Sequence, residues 1–130
     1  MAGDQKGEVV RVSLRRIPSQ AQGRSDAVAY NGIAYVVAYD PKAAEGIAAQ
    51  TENCLRFLDG KLSEVGSAKE MLLQVTVFLS DMSMKREMDR VWCDWIGPEE
   101  NWPQRACVGA DLGDDTCLIE ITATAAQIGD

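Results

Sequence analysis

Histidine is missing from all 130 residues of the chain. Imidazole is the commonest metal ligand in proteins and the usual general acid or base in hydrolases. Its absence argues against histidine-bound metal centres and against serine or cysteine nucleophiles that an imidazole activates. It also argues against the acid–base pair that ribonucleases commonly use.

Cysteine pairs of the kind that bind zinc are missing too. The four cysteines form no Cys-x-x-Cys motif, so a structural zinc site is not indicated. We expect four free thiols, buried as small hydrophobic side chains within helices and strands. They are Cys54, Cys93, Cys107 and Cys117.

Basic clusters and long apolar runs are scarce as well. The formal net charge of −7 argues against binding to a phosphate backbone. The one locally basic group, Arg15-Arg16 with Arg11 and Arg24, is interpreted as a solvated edge.

No apolar run approaches the ~18 residues that a membrane span needs, and residues 1–8 have no apolar signal-peptide core. We expect a cytoplasmic protein that binds neither nucleic acid nor membranes.

What the chain has is a regular succession of strand and helix patterns. The chain is long enough for one domain, over residues 1–130, and its 46% of hydrophobic residues can form a single core.

Asn31-Gly32 is a strong signal for a two-residue hairpin turn. The run after it is nearly all apolar, which predicts a central strand covered on both faces. The predicted early strands are Val9–Ile17, Ala27–Tyr30, Ile33–Ala38 and Leu72–Leu79.

Two segments have apolar residues at helical spacing. The first runs from Ile47 to Val65 and ends at Gly66, with charged residues on its opposite face. The second follows N-cap candidates at residues 80–83 and ends at Gly97-Pro98. Its apolar stripe includes Trp92 and Trp95, which are better explained by core packing than by ligand contact.

The C-terminal part reads as two further strands around the turn at residues 113–116. Folded as a hairpin, it places Gly109 opposite Glu120. Since cross-strand partners share a face, Arg105 and Cys107 are predicted on the same side as Glu120 and Thr122.

The resulting order is β-β-β-α-β-α-β-β, and both helices are expected on one face of a mixed β-sheet. This is an α+β two-layer sandwich. The far face of the sheet, which we expect to include Val37 or its neighbour, Thr76 and Cys107, is too apolar to meet water. We therefore expect self-association through that face, with Arg105 and Glu120 near a subunit boundary.

Three stretches together resemble the RidA (YjgF-type) family of reactive enamine/imine deaminases. The resemblance extends from about Ala27 to Ala126. Its motifs are Ala49-Gln50-Thr51 with the leucines after it, Val75-Thr76-Val77-Phe78-Leu79-Ser80-Asp81, and Pro103-Gln104-Arg105-Ala106-Cys107-Val108 with Ile119-Glu120-Ile121.

The resemblance implies a chorismate-mutase-like fold, a homotrimer with clefts between subunits, and no cofactor. It also implies hydrolysis of 2-imino or enamino acids to 2-oxo acids and ammonia. Arg105 matches the family arginine that clamps the substrate carboxylate. Glu120 matches the glutamate that handles the attacking water, and Cys107 matches a position whose backbone lines the pocket. A guanidinium binds a carboxylate with two hydrogen bonds, and an imine carbon is already electrophilic, so this chemistry needs neither histidine nor metal.

The sequence departs from the family pattern at two places. Gly23-Arg24-Ser25 stands where the archetype has Gly-Pro-Tyr, and Val37-Ala38-Tyr39 stands where it has Ser-Gly-Gln. With Val37 and Ala38 lining the pocket, we expect larger or more apolar 2-imino acids, or an extended amino-dienoate such as 2-aminomuconate, as substrates. A non-catalytic trimer that binds small carboxylates or a partner protein is the alternative. Endoribonuclease activity is the least favoured reading.

Overall fold

The computed structural model describes residues 14–129, which form one mixed sheet with two helices. The strands are β1 (Arg15–Pro18), β2 (Ser25–Tyr30), β3 (Ile33–Ala38), β4 (Leu72–Leu79), β5 (Gln104–Gly109) and β6 (Ile119–Ala126). The helices are α1 (Ile47–Glu64) and α2 (Lys85–Ile96). The predicted α+β class and element order are confirmed. Most of the predicted first strand, 9–13 including Arg11, lies outside the described residues.

The Asn31-Gly32 turn connects β2 and β3 as predicted. Both residues have positive φ, 53° and 83°, which asparagine and glycine tolerate better than other residues. The turn sets the antiparallel register in which Tyr30 faces Ile33. Because the turn fixes this register, it also fixes which side chains of β3 face the core.

The strand order across the sheet is β1-β2-β3-β6-β4-β5. Neighbouring strands are antiparallel except β4 and β5, which are parallel and are joined through α2. A parallel pair requires such a crossover, whereas a tight turn suffices for an antiparallel one. The crossover carries β5 to the edge of the described sheet, beside β4.

The predicted C-terminal hairpin is therefore wrong. β6 pairs with β3 and β4, and β4 lies between it and β5. Arg105 is aligned with Val75 of β4, whereas Glu120 is aligned with Phe78. Since Val75 and Phe78 point to opposite faces of β4, so do Arg105 and Glu120. The prediction that they share a face is wrong as well.

Both helices cover the same face of the sheet. Alternate residues of β6 show this, because Ile119 and Ile121 are fully buried while Glu120 and Thr122 are partly exposed. Cys107 also packs on the helix-covered face, which corrects its predicted place on the far face. Thr76 lies on the uncovered face as expected, since its partner across β6 is Thr122.

The uncovered face, which we call the open face, carries exposed apolar side chains. Tyr35 is 50% exposed, Val108 40% and Val37 39%. The central position of β3 is confirmed, but its expected coverage on both faces is not found among residues 14–129.

The core lies between the sheet and the two helices. The buried face of α1 supplies Cys54, Leu55, Leu58 and Leu62, and α2 supplies Met88, Trp92 and Ile96. Trp92 is only 6% exposed, so its predicted role in core packing is confirmed. Neither helix within residues 14–129 combines the length and the apolar character needed to cross a membrane.

Candidate functional site

Arg105 lies on the helix-covered face of β5 and reaches toward α2. Its Nη2 atom donates to Oδ1 of Asp89 at 2.6 Å, and its Nη1 atom lies 3.8 Å from the sulfur of Met88. Its guanidinium carbon lies 5.4 Å from the ring centroid of Trp92. These contacts orient the side chain, which is 19% exposed. The other N–H donors of the guanidinium meet no acceptor among residues 14–129, so they can bind an external acceptor.

Asp89 is held by two cations. Its second oxygen, Oδ2, accepts from Lys85 Nζ at 2.8 Å, one helical turn earlier. Burial alone would raise the pKa of Asp89, but the hydrogen bonds from Lys85 and Arg105 outweigh it and hold the pKa below its usual value. The three groups carry a net charge of +1 when ionised, so the cluster still attracts one anion.

A cavity of about 340 Å³ opens beside this cluster. Arg105 and Asp89 border it, and Trp92, Trp102 and Pro103 contribute flat apolar walls. Trp102 is 60% exposed, but its indole N–H donates to the carbonyl of Gly97 at 2.9 Å, which fixes the ring on the loop before β5. We call this space the tryptophan cavity.

Glu120 lines a different cavity, of about 550 Å³, on the open face. Val37, Tyr39, Ser25 and Arg24 border the same space. Among the described residues Glu120 and Arg24 make no ion pair, although both line this cavity. Asp26 borders this space as well, so two carboxylates and one guanidinium line a cavity with room for a ligand or water.

Arg105 and Glu120 are therefore not brought together within one chain. They lie on opposite faces of the sheet and border separate cavities. A site that uses both groups on one substrate has to take them from two copies of the chain.

The other predicted site residues are divided between these places. Val37 lies beside the Glu120 cavity. Ala38 is fully buried in the core, so its methyl group cannot line either cavity. Cys107 follows Arg105 on the same face of β5, and burial raises the pKa of its thiol, which makes it a poor nucleophile at neutral pH.

Gln50 of α1 holds the approach to Glu120 in place. Its amide nitrogen donates to the carbonyls of Ala44 and Thr116, at 2.8 and 2.7 Å, and its oxygen accepts from the N–H of Leu118 at 2.9 Å. The side chain is 98% buried, since its exposed fraction is 2%. One glutamine thus ties the loop before α1 to the segment that leads into β6.

Sequence reasoning missed Asp89, Trp102 and Arg24. The i,i+4 spacing of Lys85 and Asp89 was a visible signal for their ion pair. The contact of Asp89 with Arg105 was not visible, because it depends on how α2 packs against β5. Arg24, interpreted as part of a solvated edge, lines the Glu120 cavity.

The four cysteines are free thiols, as predicted. Cys54 is buried, but Cys93 is exposed and Cys107 and Cys117 are partly exposed, so their expected burial holds only for the first. Within residues 14–129 no three histidine, cysteine or carboxylate side chains are grouped closely enough to hold a metal ion.

Comparison with known proteins identifies the family. The model of the family described as Endoribonuclease L-PSP matches residues 16–127. A RutC family protein of Haemophilus ducreyi is 35% identical over 103 residues, which cover 78% of this chain and 87% of that protein. The RutC family protein YoaB of Escherichia coli is 30% identical over 115 residues, which cover 88% of this chain and 99% of that protein.

The fold agrees with a solved structure. A YjgF family protein of Neisseria meningitidis superimposes with a TM-score of 0.84 at 32% identity, covering 90% of this chain and 97% of that one. The chain therefore belongs to the Endoribonuclease L-PSP family, which includes the RutC proteins and the YjgF/RidA proteins, and this confirms the RidA (YjgF-type) resemblance.

Proposed function

We propose that the protein is a cofactor-independent deaminase that hydrolyses 2-imino and enamino acids to 2-oxo acids and ammonia. We further propose that it acts as a homotrimer, with Arg105 and Glu120 contributed to each site by different copies. The observation that supports this proposal most directly is the set of contacts that Arg105 makes and the donors that it leaves unused. Its guanidinium is fixed by Asp89, yet it keeps unused N–H donors beside a cavity.

Substrate binding follows from the geometry of Arg105. Two N–H groups of one guanidinium can bind both oxygens of a carboxylate, which fixes the orientation of the substrate as well as its position. The contacts with Asp89 and Trp92 reduce the conformational freedom that Arg105 would lose on binding.

The reaction needs one proton acceptor near a water molecule. In the proposed step the imine reacts in its protonated (iminium) form, and Glu120 takes a proton from water as the water oxygen attacks the C=N carbon, giving a neutral carbinolamine. Glu120 then returns that proton to the nitrogen. The C–N bond breaks and ammonia leaves as the hydroxyl group gives its proton back to the Glu120 carboxylate and the C=O bond forms. An acid–base group of this kind accelerates a reaction by about 10²–10⁴-fold.

The open face supports the shared site. Its exposed Tyr35, Val37 and Val108 are apolar residues that a second copy could cover. Glu120 lies on that face, whereas Arg105 lies near the sheet edge on the other. Packing the open face of one copy against the β5 edge of another would bring the two groups to one boundary.

Glu120→Gln tests this function. Imino acids are generated by an amino-acid oxidase and the surviving imine is trapped with semicarbazide. Because the amide cannot accept the proton from water, kcat should fall about 100-fold or more, while calorimetry should find binding of a 2-oxo acid nearly unchanged. Glu52→Gln, on the outer face of α1, is the matched control. Unchanged kcat in Glu120→Gln would remove Glu120 from the mechanism.

A second candidate is a trimer that binds small carboxylates without turning them over. It is supported by Val37, which places an apolar side chain in the Glu120 cavity where the family archetype has a serine. Binding of 2-oxo acids by a protein that hydrolyses no imine would favour this candidate. RNA cleavage by metal-free, nuclease-clean protein would instead favour the ribonuclease activity in the family's description.

A further inference from the structure

The tryptophan cavity differs in character from the space around Glu120. Its walls are mostly apolar, and its charged groups are Arg105 and Asp89 at the border. The wall residues are Trp92, Cys93, Ile96, Trp102 and Pro103. Its volume of about 340 Å³ lies near the lower end of the ~300–1,000 Å³ range typical of ligand pockets. A cavity of this size and composition suits one ring-sized apolar group.

Arg105 connects this cavity to the proposed reaction. A substrate whose carboxylate binds the free donors of Arg105 has its remaining atoms next to the indole walls, because the same guanidinium borders the cavity. Aromatic groups gain from such walls through burial and through edge or offset stacking on the rings.

Asp89 affects which side chains can enter. Its carboxylate borders the cavity and is already bonded to both Lys85 and Arg105. An acidic side chain would therefore approach a like charge and would lose water against indole surface without gaining a free cation.

We infer that the tryptophan cavity receives the substrate's side chain, so that the preferred substrates are 2-imino acids with aromatic or large aliphatic uncharged side chains. This inference rests on the deaminase function proposed above. It assigns the selection among substrate side chains to Trp92 and Trp102, whereas the sequence analysis assigned that selection to Val37 and Ala38.

The test compares imines derived from phenylalanine, leucine, alanine and aspartate. For the unaltered protein, kcat/KM should be about tenfold or more higher for the phenylalanine-derived imine than for the alanine-derived one. The aspartate-derived imine should be the poorest. Trp102→Leu should reduce the phenylalanine-to-alanine ratio about fivefold or more, because it removes one wall from the cavity. Trp102→Phe should keep most of the ratio, since it keeps an aromatic ring.

Ile128→Ala is the matched control for removing exposed apolar surface. Ile128 is 58% exposed, against 60% for Trp102, and it borders neither cavity. The control should leave the ratio unchanged. Equal kcat/KM for the phenylalanine- and alanine-derived imines, or an equal loss for all imines in Trp102→Leu, would overturn the inference.

Failure of the proposed function would look different. If no imine is hydrolysed, the deaminase assignment fails, and calorimetry with phenylpyruvate and pyruvate tests the cavity alone. If phenylpyruvate binds more tightly than pyruvate, and Trp102→Leu abolishes that difference, the cavity binds the ligand's side chain as inferred. Equal affinities for the two compounds would overturn it.

Discussion

Arg105 combines a fixed position with free hydrogen-bonding capacity. It makes a 2.6 Å bond to Asp89, which fixes its position, and it keeps donors that no described residue uses. A surface ion pair with these distances usually contributes little to stability. Here the ion pair matters more for the geometry of the guanidinium than for the free energy of folding.

Arg105→Lys should keep the fold and lose most of the activity. Lysine retains the charge but cannot bind Asp89 and a substrate carboxylate with one planar group. A lost charge-assisted hydrogen bond of about 1.5–3 kcal/mol corresponds to a fall of roughly 10–150-fold in kcat/KM. Arg86→Lys, at an exposed position on α2, is the control. If the urea midpoint of Arg105→Lys falls sharply or its kcat/KM is unaltered, Arg105 has a structural role instead.

The ion pairs of Asp89 should make stability depend on pH in a defined direction. The folded-state pKa of Asp89 is lowered, so its ion pairs stabilise the protein above the unfolded-state pKa of about 3.9. That contribution is lost as the pH falls through the lower folded-state pKa. The advantage in unfolding free energy over Asp89→Asn should therefore shrink as urea titrations move from pH 6 to below about pH 4.

Asp94→Asn, an exposed carboxylate on the same helix, controls for the change in net charge. If the difference in unfolding free energy between the unaltered protein and Asp89→Asn grows as the pH falls, the assignment of the ion pairs is contradicted.

At the scale of elements, α1 covers the sheet and, through Gln50, also holds two neighbouring segments in place. Its three hydrogen bonds connect two segments that are separated by about seventy residues in the sequence, and Gln50 itself is buried. The segment from Thr116 to Leu118 leads directly into β6, so the position of Glu120 depends on this connection.

Gln50→Leu should destabilise the protein by roughly 2–4 kcal/mol, because it leaves two carbonyls and one N–H without their partner. Urea unfolding at pH 7 measures the change. Glu52→Leu, at an exposed position on the outer face of the same helix, should change the unfolding free energy by no more than about 0.5 kcal/mol. Equal stability of Gln50→Leu and the unaltered protein would mean that other groups or water replace these bonds.

The elements themselves were largely predictable from the sequence, but their pairing was not. The bounds of β3 and β4 agree with the predicted ones because each is rich in apolar and β-branched residues and lies between clear turn signals. The hairpin failed because strands that are adjacent in sequence were assumed to pair, which holds only about two times in three. The strand–helix–strand pattern of β4, α2 and β5 was the better signal, since it is typical of a parallel pair.

The site was predictable in its residues and not in its arrangement. The sequence motifs identified Arg105 and Glu120. An error in predicting which strands pair, however, changes the face of the sheet on which a residue is expected to lie. Asp89 and Trp102 could not be found in this way, because no local pattern specifies that α2 and the loop before β5 meet Arg105.

At the scale of the whole molecule, the open face predicts self-association. A homotrimer should be found by sedimentation equilibrium at micromolar concentration. Tyr35→Glu should shift the protein toward monomer, because it replaces one of the exposed apolar side chains of the open face with a charge. Ile128→Glu, which adds the same charge at an exposed position outside the sheet, should leave the assembly intact. A stable monomer of the unaltered protein would refute both the assembly and the shared site.

The separation of Arg105 and Glu120 onto opposite faces has a genetic consequence. In a trimer with sites shared between neighbours, a chain defective at Arg105 still offers its Glu120, and a chain defective at Glu120 still offers its Arg105. Co-expression of the two defective chains would thus rebuild intact sites, up to roughly a quarter of the total for random mixing of equal amounts. An enzyme whose catalytic groups lie within one chain gains nothing from such mixing, so complementation between two inactive alleles reports directly on where each site is built.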